Sequence, residues 1–94
     1  MKELPIPPSA ASAQESAEIA RIWIAEGRQH VTLHARAWKD PAAWGLLLVD
    51  LAKHVADAYE QTEGRDRQQT LARIKTGFDA EWDHPTHEPT GTAG

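Results

Sequence analysis

Cysteine is absent from the 94 residues, which removes disulfides, thiolate metal sites, iron–sulfur clusters and cysteine nucleophiles together. Large apolar side chains are also scarce. Hydrophobic residues make up 40% of the chain, but 16 of those 38 are alanine, leaving 22 larger ones to exclude water. The longest run of large apolar residues, Leu46 to Val49, falls far short of the ~20 residues that a helical membrane span needs. The opening MKELPIPPSA has neither the basic n-region nor the continuous apolar stretch of a secretory signal. A soluble cytoplasmic protein is therefore expected. Serine occurs only at Ser9, Ser12 and Ser16, ahead of the foldable part, and no phosphate-cradling or dinucleotide-type glycine pattern follows. Neither a serine nucleophile nor a nucleotide cofactor is expected.

A net charge of −4 argues against a dedicated nucleic-acid binder, and the acidity is uneven. Residues 1–40 hold five basic and five acidic groups, residues 41–94 five basic and nine acidic. Domains this small bury a modest share of their surface, and without disulfides or a metal they often gain stability by self-association. A homodimer is expected on that ground.

The patterning that is present divides the chain into three parts. Residues 1–13, rich in Pro, Ala and Ser, read as an extended arm whose Leu4 and Ile6 could dock on a partner or on the domain. Residues 14–83 read as a single α+β domain. Residues 84–94, with Pro85, Pro89 and two late glycines, read as a disordered tail.

Within the domain, an antiparallel β-hairpin is expected over about 19–38. Ala20, Ile22 and Ile24 alternate with Arg21 and Trp23, and Glu26-Gly27-Arg28-Gln29 supplies a turn. The helical spacing of Ile19, Ile22 and Trp23 leaves a helix as the alternative for this first segment. His30 to Trp38 is clearer, with Val31, Leu33, Ala35 and Ala37 on one face and polar or aromatic residues on the other. A loop of two or four residues places Ile22 and Ile24 on the Val31 and Leu33 face. Such a hairpin exposes unpaired edges. The expected dimer either joins these edges into one sheet or packs the helical faces on each other.

Two antiparallel amphipathic helices follow, over about 41–61 and 66–82. Asp40-Pro41 opens the first, Gly64 ends it, and Asp66 caps the second. Trp44, Leu47, Leu48, Leu51, Ala52, Val55, Ala58 and Tyr59 recur at three and four along the first helix. Leu71, Ile74, Phe78 and Trp82 form the stripe of the second.

The stretch QHVTLHARAWKDPAAWGLLLVDLAKHVADAY (Gln29 to Tyr59) and the closing RIKTGFDAEW resemble a family of short bacterial proteins grouped as a domain of unknown function. The segment WKDPAAW, Trp38 to Trp44, is the most distinctive part. The resemblance implies a bacterial origin and a hairpin-plus-helices fold, and it carries over no catalytic residues.

The most unusual surface is the second face of the hairpin, where Arg21, Trp23, His30, Thr32, His34, Arg36 and Trp38 would gather. Cations mixed with aromatics suit a single-stranded nucleic acid or a small ligand. The plainer reading is a solvated or subunit-facing sheet in which indoles cover aliphatic stems. His30 and His34 share that face but lie about 13 Å apart along a strand, too far to chelate one ion. Asp50, His54 and Asp57 share a helical face at ligand-compatible spacing, which is also the look of a solvated mixed-charge face. Asp83, His84 and His87 sit in or beside the tail, and no metal site is expected there. His54 is the one candidate base, on the polar side of its helix. Trp38 and Trp44 are expected to pack where strand meets helix, with Gly45 admitting another backbone. The leading expectation is a noncatalytic protein-interaction or accessory domain acting as a homodimer. A ligand or nucleic-acid binder is the alternative, and an enzyme of unrecognised type the third.

Overall fold

The computed structural model describes residues 2–86 and 92–93. The chain divides into two compact units, one holding the N-terminal arm and the hairpin, the other beginning at Trp38 and holding the two long helices.

In the first unit the arm is not extended throughout. Pro8–Ser12 forms a single helical turn, α1. Proline at its first position has φ already set for a helix and no N–H to leave unpaired, and the Ala10 and Ala11 N–H groups donate to the Pro7 carbonyl. Strands β1 (Ala20–Ala25) and β2 (Arg28–Leu33) then form the expected antiparallel hairpin. The first segment is strand rather than helix. Its loop is the two-residue form, with Glu26 and Gly27 at φ 53° and 75°, the mirror-image turn whose twist matches that of paired strands.

The register pairs Ala20 with Leu33, Ile22 with Val31 and Ile24 with Gln29. Ile22 and Ile24 therefore share a face with Val31 and Leu33, as the alternation predicts, but they stay 59% and 71% exposed. Strand β2 is shorter than expected. The His34 N–H still donates to the Ile19 carbonyl, and the chain then turns, with the Ala37 N–H on the His34 carbonyl. The alternation of Ala35 and Ala37 continues on paper past the point where β1 offers a partner, and unpaired strand does not persist.

A third, two-residue strand, β3 (Thr92–Ala93), pairs in parallel with Thr32 and Leu33. It completes the order β1-β2-β3, so β1 has no strand on its outer edge among the described residues. The tail expected to be disordered over 84–94 lies largely outside the described residues, as does His87.

The second unit is a helical hairpin. Helix α2 spans Ala42–Glu63 and helix α3 spans Arg67–Asp83. The Asp40 carboxylate accepts from the Ala42 N–H at 3.0 Å, and Pro41 already holds helical angles. Gly64 ends α2 in the left-handed region at φ 66°, donating its N–H to the Glu60 carbonyl. Asp66 caps α3 by accepting from the Gln69 N–H at 2.9 Å. Ala56 of α2 is the one fully buried residue among those described, and Ala52, Leu71 and Ile74 are half-buried around it. Near the turn, Arg67 donates to Asp57 at 2.6 Å, part-buried, and ties the helices together.

Candidate functional site

The face singled out by the sequence assembles only in part. The register places Arg21 opposite Thr32 and Trp23 opposite His30, and His34 continues the ladder by its bond to Ile19. Those five share one face of the hairpin, since directly paired residues point the same way. Arg36 lies in the turn beyond the strand, and Trp38 opens the helical unit. There Trp38 meets Trp44 edge to face, centroids 5.2 Å apart and planes at 82°, which is the indole pair that the WKDPAAW segment suggests.

Arg21 is already engaged. It donates to Glu18 at 2.8 Å and to Glu3 at 3.2 Å. The Glu18 hydrogen bond and charge, then those of Glu3, raise its pKa. The guanidinium stays cationic, but two carboxylates compete for any anion approaching it. The basic character of this face is lower than its composition suggests.

The acidic and histidine clusters do not converge. No group able to hold a metal ion is present among the described residues. Asp57 serves the inter-helix bond to Arg67, and Asp50 and His54 are exposed on α2.

The feature that the sequence did not disclose is in the helical unit. Helices α2 and α3 bury Ala56 near their connection, and along them, from Ala52 and Leu71 to Trp44 and Trp82, runs an apolar groove of about 760 Å³. Trp44, Leu48 and Val49 line one wall, Ile74, Phe78 and Trp82 the other. The charged residues along it are Lys53, Lys75, Asp79 and Asp83. Phe78 stacks on Trp82 with centroids 5.5 Å apart, yet the two remain 48% and 75% exposed. Leu48 and Val49 across the groove are 47% and 55% exposed.

The signal for these residues was mostly in the sequence, because all the apolar wall residues but Val49 belong to an expected stripe. What was hidden is how much of those stripes stays exposed. Helix α2 carries apolar residues over more than half its circumference, from Leu47 and Leu51 through Trp44 and Leu48 to Val49 and Ala56. An apolar arc of about 100° suffices for a helix with one neighbour. The arc on α2 is wider than that.

Chemically, such a groove recognises hydrocarbon and aromatic surface. A concave apolar space of a few hundred Å³ or more is where proteins take up ligands or partner side chains. Its charged groups lie beside the apolar walls in equal numbers of each sign.

The solved structures include a match described as a "putative pyruvate dehydrogenase" from the photosynthetic bacterium Rhodopseudomonas palustrus CGA009. It is similar at a TM-score of 0.73 and 34% identity, over 96% of this chain and 92% of that one. No curated protein matches the chain. The family model described as Domain of unknown function (DUF5076) matches residues 3–86, which takes in the arm, the hairpin and both long helices. The chain belongs to the DUF5076 family.

Proposed function

We propose that this chain is a noncatalytic protein-interaction or accessory domain of the bacterial cytoplasm that acts as a homodimer. The observation that carries the reading is the exposed apolar surface of the helical unit. Leu48, Val49, Phe78 and Trp82 line a single groove and stand about half exposed or more. A contiguous exposed apolar surface rimmed by charge is the usual mark of a protein–protein contact. The relative in Rhodopseudomonas supports a bacterial setting.

The name of that relative raises an enzymatic alternative. A 2-oxo acid needs cationic or amide donors to hold its carboxylate, whereas the groove is walled by hydrocarbon and indole with two lysines and two aspartates along it. Those walls suit a protein surface better than a small anion. An accessory role beside a catalytic subunit is compatible with the relative's name.

The test of the reading is the mass in solution. Light scattering of the full chain at micromolar concentration is expected to give twice the 10.4 kDa of the chain. A monomer mass would remove the homodimer.

The second reading, a single-stranded nucleic acid or small ligand on the hairpin, has the cross-strand pairing of Trp23 with His30 in its favour. Titration with single-stranded oligonucleotides at low salt, followed by tryptophan fluorescence, is expected to give no change. A salt-sensitive quench would revive that reading, because phosphate contacts weaken steeply as salt rises.

A further inference from the structure

We infer that the groove between α2 and α3 is the dimer contact itself. In this arrangement the two α2 helices cross at Gly45, and Trp82 of each copy fills the groove of the other. The inference rests on the homodimer reading above and adds the surface and the residues through which the copies meet.

Gly45 is the first ground. It lies within α2, lines the groove, and is exposed. A β-carbon built on it would meet nothing within 4 Å. Glycine inside a helix is less favourable than alanine, and no described residue uses the space that this opens. A second helix backbone would. Gly45 and Ala52 each lie three or four residues from both Leu48 and Val49, so the four share the face that lines the groove. Small residues at both ends of that face allow the close approach that helices make when they cross.

Area is the second ground. From their exposures, Leu48, Val49, Phe78 and Trp82 offer roughly 500 Å² of surface per copy, large aromatic side chains burying 150–250 Å² each. A stable contact takes about 800 Å² per partner, of which a homodimer makes about 65% apolar. In the groove and around it, these four residues therefore expose about the apolar share that a dimer requires.

Charge is the third ground. A twofold contact must be complementary to itself, and Lys53, Lys75, Asp79 and Asp83 give the groove two cations and two anions. Lys75 and Asp79 already pair at 2.6 Å within α3, which leaves Lys53 and Asp83, one of each sign, to face each other across the twofold. A strongly acidic or basic partner would find no matching field there.

The experiment uses the full chain and exploits its lack of cysteine. Trp82→Glu is expected to weaken association at least about thirtyfold by sedimentation, as loss of a central tryptophan does in other interfaces. Trp82 is 75% exposed, so helical circular dichroism should hold. Gly45→Cys is expected to form a disulfide-linked dimer under mild oxidation, and Ala80→Cys, exposed on the side of α3 away from the groove, is not. A wild-type dimer that survives Trp82→Glu and fails to cross-link at Gly45→Cys overturns this inference and leaves the homodimer reading standing, with the β1 edge as its remaining contact. A wild-type monomer removes both. Wild-type monomer that takes up a hydrophobic dye in the groove would identify the site as a ligand pocket, and so overturn the inference also.

Discussion

Gly64 and Gly77 are both helical-unit glycines with open space around them, yet they should answer alanine with opposite signs. At Gly64 the backbone sits at φ 66°, where a β-carbon is strained, and the residue closes α2 by its bond to Glu60. Gly64→Ala is expected to destabilise the protein by about 1 kcal/mol. Gly77 lies in the middle of α3 and has no positive φ. Gly77→Ala is expected to stabilise by up to about 1 kcal/mol, since alanine loses less entropy in a helix. Urea melts of the two variants against the wild type would show midpoints moving apart. Gly45 resembles Gly77 in its surroundings within the chain. If two α2 helices cross there, its replacement with alanine would strengthen the helix and loosen the pair, so stability would part company with assembly at that one residue.

At the scale of elements, the helices were the most legible part of the sequence, because their ends are written in residues whose chemistry has few other uses. Asp40-Pro41, Gly64 and Asp66 each do locally what their types suggest. The hairpin was legible in register, since the pairing of Ile22 with Val31 follows from the alternation of two strands across a tight turn. Its length was not. Ala35 and Ala37 extend the alternation, but a strand ends where its neighbour does, and β1 begins only at Ala20. That shortfall removes Arg36 and Trp38 from the hairpin face and leaves Trp23, His30, Thr32 and His34 beside an Arg21 held by two glutamates. The groove was illegible for a related reason. Periodicity names the face that a helix wishes to cover, but it is silent on how far a neighbouring helix stays in contact. Along α2 and α3 the one fully buried position among the described residues is Ala56, whereas Val49 and Trp82 are 55% and 75% exposed. The Asp57–Arg67 bond is 34–45% exposed, so its share of stability is small, about 1 kcal/mol at most. It fixes the spacing of the helices more than it holds them together.

For the whole molecule, the main physical fact is that large side chains are few and many of those few are exposed. Leu46 and Trp82 in the helical unit and Ile24 in the hairpin are each more than 70% exposed. No described helix is long and apolar enough to cross a membrane. The three-residue link Gly64–Asp66 adds a consequence in time. It makes the α2–α3 contacts local in sequence, and local contacts form fast, within about milliseconds. Meeting a second copy is a bimolecular step whose rate follows concentration. Refolding followed by tryptophan fluorescence should therefore show an early phase that is indifferent to dilution and a later one that slows in proportion to it. Between the two, the chain would pass through a short-lived state with its helices paired and its indoles still wet, and the length of that interval would be set by how much of the protein is present.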